Sequence, residues 1–397
     1  MENKEVIMYL KLLKNILSIF IDSFLVLYFL TVSENNILPL GIYKLIGVTT
    51  LFITLFLFRN ISKSKNRKNL LITGIMFDLI YFLFIFTLKE SIIKYSYILG
   101  IIYGLEEGLY YSVFNSYESD GITNKERLKF YGNYETYKSL VKIIFPIIFG
   151  VLITKTGFIE SITLVMIIVI LRIALSFLYK DNNVPEGKTN LKKFLDLIKD
   201  KKDIKYIFKI DFYNGFIFSS GAFTYIVTIY IIKVFNTNFS LGIFTSLFSL
   251  ASALIGYLFA NYINKKEYPS LLKLSTLFTT ISLLILLIKC NLITIICFNF
   301  LQTILSTLFS LINDYTKSHL SNIKEIRTKY KIEYYLCADF MLFLGRSISY
   351  ILFILMAFIS EFFIIPIFII ILILLIVNEV RLQSLLNNNQ NTILKNK

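Results

Sequence analysis

The sequence predicts an all-α integral membrane protein with twelve transmembrane helices in two six-helix bundles. Three observations lead to this fold class. The 397 residues are 56% hydrophobic with a mean hydropathy of +0.69, well above the values of an ordinary soluble protein. Apolar stretches of about 20 residues, the length that a helix needs to cross a bilayer, recur along the chain. One long polar segment, 180–205, divides these stretches six and six.

The apolar stretches place the twelve helices in order. The first stretch has no small-residue cleavage site after a short apolar core, so we expect a retained helix rather than a signal peptide. Six helices are predicted before the polar segment, at about 7–31, 40–58, 69–88, 92–115, 138–154 and 158–179. Six are predicted after it, at about 206–232, 240–260, 271–288, 291–315, 332–357 and 361–380.

Basic residues predict the orientation in the membrane. Lys and Arg are concentrated in the loops on one face, and Lys4, Lys11 and Lys14 are counted with that face. The opposite face has only a few basic residues: Lys89, Lys94, Lys155, Lys233 and Lys289. Because cytoplasmic loops retain Lys and Arg, both termini are predicted to lie in the cytoplasm, with the chain in the cytoplasmic membrane. The same bias accounts for the net charge of +15 without a nucleic-acid partner.

The polar segment predicts three regions along the chain. An N-terminal bundle covers 1–179, a cytoplasmic linker covers 180–205, and a C-terminal bundle with a short cytoplasmic tail covers 206–397. The linker has the composition of a short amphipathic helix that lies on the membrane surface.

A weak internal repeat indicates that the two bundles match. Leu-Gly-Ile occurs at 40–42 and again at 241–243. In addition, each half has an Asn and a Glu separated by 20 positions, and these residues are Asn115 with Glu135, and Asn313 with Glu333. Duplicated halves related by a pseudo-twofold axis are typical of secondary transporters.

By this architecture the chain resembles the major facilitator superfamily of secondary transporters over nearly its whole length. The segment "RNISKSKNRKNLL" matches the signature loop after the second helix only in part. It keeps Arg67, Lys68 and Leu71, but it has Arg59, Lys63 and Asn66 where the family has Gly, Asp and Gly. The acidic half of the family's interhelical charge lock is therefore absent, and Arg67 and Lys68 remain as candidate lock residues. Of the fifth-helix antiporter pattern, only Pro146 and Gly150 are present, so proton exchange is permitted and not indicated.

The segment "YGLEEGLYYSVFNSYESD" places Glu106 and Glu107 inside a long apolar stretch. A carboxylate in hydrocarbon costs at least about 2.5 kcal/mol unless it faces water or a partner. At 100° per residue, Glu107 shares a face with glycines and with Tyr103, Tyr110, Tyr111 and Asn115, and Glu106 lies at its margin. The resemblance implies that this helix lines a central cavity. We therefore expect Glu107 to face water and Glu106 to reach a cation or to be protonated, and a structural role stays open for both.

Further charged residues within predicted helices are candidates for solute or proton binding. Asp22 lies mid-helix, Asp211 and Asn214 share a face that is either pore-lining or solvated, and Asp339 and Arg346 share another face. Asp78 and Arg172 are predicted to pair as a structural lock. Three residues near helix ends are predicted to extend their side chains to the membrane surface: Lys44, Lys142 and Glu379.

The resulting functional prediction is a monomeric transporter of a small solute, coupled to protons through carboxylates, with export favoured over uptake. An amphipathic or cationic solute is the first expectation. We find no nucleophile motif, phosphate-binding loop or metal-ligand spacing, so no enzyme activity, cofactor or metal is expected. Cys290, Cys297, Cys337 and His319 are predicted to have no special role. The alternatives are a lipid-linked glycan flippase, a non-transporting sensor, or a membrane-embedded transferase with its acids in the 116–135 loop.

Overall fold

The computed structural model is described over residues 3–58, 67–120, 124–180, 190–199, 201–235, 237–321, 323 and 326–395. In these residues eleven helices are long and apolar enough to cross a membrane. The helix Ser96–Asp120, which has Glu106 and Glu107 in its middle, is a twelfth long helix outside that set. The predicted class, an all-α membrane protein with about twelve membrane helices, is therefore confirmed.

The bounds of the helices follow the predicted apolar stretches, with several extensions. In the described residues before 181 the α-helices are α1 Asn3–Ile19, α2 Val26–Val32, α3 Leu38–Phe58, α4 Arg67–Leu88, α5 Ser96–Asp120, α6 Asn124–Thr156 and α7 Phe158–Ser176. In the described residues after 189 they are α8 Leu191–Ile198, α9 Lys202–Ile217, α10 Ala222–Phe235, α11 Asn238–Tyr262, α12 Tyr268–Ile288, α13 Leu292–Ser321, α14 Lys331–Leu355 and α15 Glu361–Lys395.

One predicted loop was wrong, and two predicted helices contain irregularities. The loop expected at 116–138 is mostly helical, because α5 continues to Asp120 and α6 begins at Asn124. The predicted first helix, 7–31, contains a π-helical turn, Phe20–Leu25, between α1 and α2. The predicted seventh helix, 206–232, is broken between α9 and α10. Apolar length alone indicates neither irregularity, since both lie inside continuous hydrophobic stretches.

The chain divides into two compact units. The first unit contains Met1–Thr189 and Phe235–Leu247, and the second contains Asn190–Val234 and Phe248–Lys397. In the first unit α3 and α4 both pack against α5, and α7 packs against α1 and α4. In the second unit α9 packs against α14 and α15, and α12 packs against α13 and α15.

Glycines at intervals of four residues allow α5 to approach α3 closely. A Cβ atom at Gly104 would lie 2.5 Å from the carbonyl oxygen of Gly47, and one at Gly108 would lie 2.5 Å from the Cβ of Thr54. Side chains at these positions would therefore force the helices apart. This is the small-xxx-small packing that membrane helices use, because hydrocarbon offers no hydrophobic drive for association. The contact fixes α5, and with it Glu106 and Glu107, against α3.

We predict that Gly104→Ala destabilises the protein by about 1–3 kcal/mol, because the new methyl group overpacks the contact between α3 and α5. Thermal unfolding in detergent, followed by size-exclusion chromatography, measures the effect. Gly256→Ala is the matched control, since a Cβ atom there meets nothing within 4 Å among the described residues. Equal melting temperatures for the two variants would contradict the close approach.

Candidate functional site

Five charged side chains from four helices meet inside the first unit. Each is at most 6% exposed, and together they form what we call the first-unit charge cluster: Lys14 of α1, Asp78 of α4, Glu106 and Glu107 of α5, and Arg172 of α7. A charge that is removed from water is tolerated only when an opposite charge or a hydrogen bond compensates it. The cluster is therefore a set of mutually dependent ion pairs.

Lys14 is the common partner of the carboxylates in the first-unit charge cluster. Its Nζ contacts Oε2 of Glu106 directly, lies 2.7 Å from Oε1 of Glu107 and lies 3.6 Å from Oδ1 of Asp78. Arg172 is the second cation. Its Nη1 contacts Oδ2 of Asp78 and lies 4.0 Å from Oε1 of Glu106. The predicted partners Asp78 and Arg172 are thus brought together, and their role as a lock stays a prediction.

An aromatic ring closes one side of the first-unit charge cluster. The centroid of Tyr110 is 5.7 Å from Nζ of Lys14 and 5.1 Å from Cζ of Arg172, within the range of cation–π attraction. Tyr110 is 2% exposed and belongs to an apolar core with Val6, Leu10, Leu71 and Ile75. The charges therefore act on one another through a medium of low dielectric constant, where their interactions are strong.

Gly74 allows α4 and α5 to approach each other beside the first-unit charge cluster. A Cβ atom at Gly74 would lie 3.1 Å from the Cβ of Leu109 and 3.2 Å from the backbone nitrogen of Tyr110. Asp78 follows Gly74 by one helical turn, and Glu106 precedes Tyr110 by one turn, so the two carboxyl groups lie at the same level of the helix pair.

The first-unit charge cluster contains three carboxylates and two cations, which leaves a formal charge of −1 when all are ionised. Oε1 of Glu106 and the Nε and Nη2 atoms of Arg172 have no hydrogen-bond partner in the described part of the chain. One bound proton would make the cluster neutral. Chemically, the arrangement is suited to hold and release a proton. In the described residues no group of three or more His, Cys, Asp or Glu is arranged to hold a metal ion.

Sequence reasoning missed the central cation. Lys14 was counted among the cytoplasmic basic residues, but it is 4% exposed in the interior of the first unit. The positive-inside rule weighs a Lys by its position along the chain, and Lys14 lies near the N-terminus. The useful signal was its neighbours, because Leu12, Leu13, Ile16 and Leu17 surround Lys14 with apolar residues along the helix.

Asp22 and Lys44 form a second ion pair in the first unit. Nζ of Lys44 lies 3.2 Å from Oδ1 of Asp22, which is on the π-helical turn Phe20–Leu25. The side chain of Asp22 is 45% exposed and that of Lys44 only 3%. The prediction that Lys44 extends to the membrane surface was therefore wrong, because protein atoms enclose it. Asp22, which has no cation close in sequence, obtains one from α3.

The tyrosines predicted beside Glu107 have different surroundings in the structure, although the ring centroids of Tyr110 and Tyr111 lie 5.5 Å apart. The ring of Tyr103 lies 5.3 Å from Nζ of Lys44, and Tyr110 lies against the first-unit charge cluster. Tyr111 is 40% exposed. Asn115 lies on α5, but its side chain is outside the described set. The acids of the proposed transferase loop, which include Glu118 and Glu126, are likewise outside the described side chains.

Arg67 and Lys68, the candidate lock residues of the signature loop, lie at the first turn of α4. Arg67 is 2% exposed, and Nζ of Lys68 donates a hydrogen bond of 2.7 Å to the carbonyl oxygen of Phe177. The signature positions 59, 63 and 66 lie outside the described residues. Within the described residues, Lys68 thus connects α4 to the end of α7, which is a structural contact rather than a solute site.

The second unit has its own buried ion pair. Asp211 of α9 is 0% exposed and contacts Nζ of Lys317 of α13. The solvated reading of Asp211 was therefore wrong. Asp339 of α14 interacts electrostatically with Lys317 and Arg346. Glu379, predicted to extend to the surface, is also 0% exposed and accepts a hydrogen bond of 2.8 Å from Gln383.

The break between α9 and α10 is held by side chains of α14. Nε of Arg346 donates to the carbonyl oxygen of Ser219 at 2.5 Å, and Nη2 donates to its Oγ at 3.0 Å. The hydroxyl of Tyr350 donates to the carbonyl oxygen of Ser220 at 2.8 Å. Ser220 has a φ of +58°, a conformation that L side chains rarely adopt. Arg346 thus donates to oxygens of the break in addition to its electrostatic interaction with Asp339, and the prediction that it binds an anion or an acid stays a prediction.

Ser349 forms two further hydrogen bonds with the backbone on either side of the break. Its Oγ accepts a hydrogen bond of 2.9 Å from the backbone N–H of Ala222 and donates one of 2.9 Å to the carbonyl oxygen of Phe216. Asn214 accepts backbone bonds from Phe218 and Ser219 at its own carbonyl, both at 2.9 Å. Irregular backbone at membrane depth is tolerated only where such partners replace the missing helical bonds.

Comparisons with known proteins agree with this architecture. A family model described as Major Facilitator Superfamily matches residues 13–323. The uncharacterized protein YqgE of Bacillus subtilis (strain 168) is 24% identical over 239 residues, which are 59% of this chain, and the match spans only about half of that relative, 54%.

Two solved structures have similar folds. A bacterial homologue of the iron transporter ferroportin, in an inward-facing state, has a TM-score of 0.64 and 12% identity, with 96% of this chain and 98% of that chain covered. The human organic anion transporter MFSD10 (TETRAN) has a TM-score of 0.61 and 11% identity, with 96% and 100% covered. At such identities the likeness concerns the fold alone.

We predict that Lys14→Met destabilises the protein by about 3–5 kcal/mol, because three buried carboxylates lose their common cation. The deficit should shrink as pH falls, since protonated carboxyl groups need no counter-ion. Thermal unfolding in detergent at several pH values measures it. Lys94→Met, at an exposed position of the same unit, is the control. A Lys14→Met protein as stable as the parent at alkaline pH would argue against the assigned pairing.

For the broken helix we predict that Ser349→Ala costs about 1–3 kcal/mol, because it leaves the buried N–H of Ala222 without a partner. Ser347→Ala is the control on the same helix, since the Ser347 hydroxyl has no hydrogen-bond partner among the described residues. Hydrogen exchange at Ala222 should accelerate only in the Ser349 variant. An unchanged exchange rate would show that Ser349 does not hold the break.

Proposed function

The chain belongs to the Major Facilitator Superfamily, and from that premise we propose that this multi-pass membrane protein is a proton-coupled secondary transporter of a small solute. We propose that it acts as a monomer in the cytoplasmic membrane with both termini in the cytoplasm, by alternating access, with export favoured over uptake. Transport rather than catalysis is the proposed activity. The observation that carries proton coupling is the imbalance of three carboxylates against two cations in the first-unit charge cluster.

The contacts within the cluster favour one of its two glutamates as the residue that takes up the proton, and we assign the proton to Glu107. Asp78 and Arg172 contact each other, and Glu106 lies close to both Lys14 and Arg172. Glu107 has only Lys14 as a cationic partner in this cluster. Protonation of Glu107 leaves two complete pairs, Lys14 with Glu106 and Arg172 with Asp78. Protonation of Glu106 would also leave two complete pairs, Lys14 with Glu107 and Arg172 with Asp78, so both glutamates are candidates on the contacts alone.

Exposure favours Glu107 over Glu106 in this assignment. Glu107 is 6% exposed, whereas Asp78 and Glu106 are each 1% exposed. A proton that comes from water has to reach its acceptor, and the most accessible carboxyl group of the cluster is the easiest to reach. The predicted hydrated cavity beside Glu107 belongs to this proposal.

Proton uptake supplies a mechanism for coupling. When Glu107 is ionised, Lys14 is shared by two glutamates, and the cluster carries a charge that favours a hydrated conformation. When Glu107 is protonated, Lys14 is free to bind Glu106 alone, and the neutral cluster can be closed off from water at a lower cost. A conformational change that follows this neutralisation moves the proton to the other side of the membrane.

The experiment is a thermal-shift screen of the purified protein against a solute library, followed by transport in proteoliposomes. Solutes that stabilise the protein are added outside vesicles containing the pH dye pyranine. We predict that wild type moves protons when the solute is added, and that Glu107→Gln does not, since the amide cannot exchange a proton.

Glu135→Gln is the matched control, because Glu135 lies on α6 of the same unit with a side chain that is 58% exposed. It should move protons like wild type. Proton movement by Glu107→Gln with an unchanged pH dependence, or its loss in Glu135→Gln as well, would refute the assignment of the proton to Glu107.

A further inference from the structure

Glu379 of the second unit is a buried carboxyl group that the proposed proton site does not use. It lies on α15 within the apolar stretch Phe362–Leu386, which is long enough to cross the membrane, and it is 0% exposed. Its neighbours along the helix, Leu375, Ile376 and Leu382, are each at most 3% exposed. The carboxyl group is therefore shielded from bulk water, and the protein has to supply whatever stabilises it.

The hydrogen bond that Glu379 accepts comes from a neutral amide. Nε2 of Gln383 donates a bond of 2.8 Å to Oε1 of Glu379 and another of 2.7 Å to Oγ1 of Thr316 on α13. Oε2 of Glu379 has no hydrogen-bond partner in the described part of the chain. An ionised carboxylate is an acceptor at both oxygens, whereas a protonated one has an O–H group at one of them. A single donor at one oxygen is what a protonated carboxyl group needs.

The nearest charged groups leave Glu379 without an ion pair in the described residues. Lys317 of α13 acts on it electrostatically, but Nζ of Lys317 contacts Oδ1 of Asp211 on α9. Asp314 of α13 and Asp339 of α14 also act on Lys317, so several carboxyl groups compete for one ammonium group. Asp211 acts on Glu379 in the opposite sense to Lys317. Lys317 is therefore engaged mainly by other carboxyl groups.

Other basic residues of the neighbouring helices do not pair with Glu379 either. Arg346 of α14 donates its hydrogen bonds to Ser219. The helices α9 and α12 both pack against α15, and their residues Lys209 and Lys273 are exposed. Among the described residues, the cations on all four neighbouring helices are thus directed to other groups or to the surface.

The cost of burial distinguishes the two protonation states of Glu379. An ionised Glu379 would be a fully buried negative charge without an ion pair in the described residues, at the depth of the membrane and close to Asp211. Burial of such a charge costs several times more than burial of a neutral polar group that lacks one hydrogen bond. A proton on Glu379 removes the charge and leaves only the smaller cost.

We propose that Glu379 binds a proton and is held as a neutral carboxylic acid, so that the second unit has a proton site of its own. This goes beyond the proposed function, in which Glu107 of the first unit takes up the proton. The two residues differ in their surroundings. Glu107 lies 2.7 Å from Nζ of Lys14 and has a cation when it is ionised, whereas Glu379 has only the amide of Gln383 at hydrogen-bond distance.

Infrared difference spectroscopy of the purified full-length protein tests this site, because a protonated carboxyl group and a carboxylate absorb at different frequencies. We expect the wild-type minus Glu379→Gln spectrum at neutral pH to contain the carbonyl band of a protonated carboxylic acid. Glu135→Gln is the matched control, since the Glu135 side chain is 58% exposed. Its difference spectrum should contain carboxylate bands. Carboxylate bands in the Glu379→Gln difference spectrum would overturn the proposal.

The pH dependence of thermal unfolding is a second measurement. An unfolded Glu loses its proton above about pH 4.3, so a folded protein that keeps the proton loses stability as the pH rises. The folded-to-unfolded ratio of wild type should therefore fall relative to that of Glu379→Gln, by up to about tenfold per pH unit above that value. Glu379→Met should show the same trend, which keeps the test valid if one variant fails to fold. A relative ratio that stays constant or rises with pH would contradict a bound proton.

These outcomes are distinct from those for Glu107. Neither measurement on Glu379 requires transport, so the second-unit site stands even if no proton moves in the vesicles. Glu107→Gln should keep the acid band of Glu379, because the two residues lie in different units. If protons move in the vesicles and the acid band of Glu379 is missing, proton coupling through Glu107 stands and the second-unit site fails.

Discussion

A charge that is buried in an apolar interior must be compensated by the protein, and the arrangement of the first unit follows from this constraint. Lys14 contacts carboxylates on α4 and on α5. Arg172 of α7 also contacts the carboxylate of Asp78 on α4. The helices are thus joined by charges that none of them could carry separately in a membrane. The cluster has one carboxylate more than it has cations, so in the proposed mechanism the same feature would serve both packing and proton coupling.

The second unit meets the same constraint with different groups. A buried pair, Asp211 with Lys317, joins α9 to α13, and there the carboxylate lies on the unit's first long helix and the cation on its fourth. In the first unit the order of the signs is reversed, with Lys14 on the first helix and Glu106 on α5. The break after α9 leaves backbone groups without helical hydrogen-bond partners, and the side chains of Arg346 and Ser349 form hydrogen bonds with them. Within each unit, the buried ion pairs and the hydrogen bonds across the break therefore compensate charged and backbone groups at membrane depth.

Much of the fold was predictable, because apolar length and loop charge depend on short stretches of sequence. The contact between Asp78 and Arg172 was also predicted, since each is a conspicuous charge on an apolar helix. Lys14 and Lys44 were misread for one physical reason. The partner of Lys14 is on a helix far away in sequence, and that of Lys44 is on a neighbouring helix. The packing of α1, α3 and α5 therefore decides whether these lysines reach water, and the local sequence does not show it.

The glycine contact between α3 and α5 has a mechanical consequence. A Cβ atom at Gly100 would lie 2.5 Å from the carbonyl oxygen of Tyr43, so the two backbones touch without side chains that could slide between them. Lys44 follows Tyr43 on one helix, and Glu107 lies on the other. Any displacement of this helix pair as a unit therefore moves both ionisable groups together.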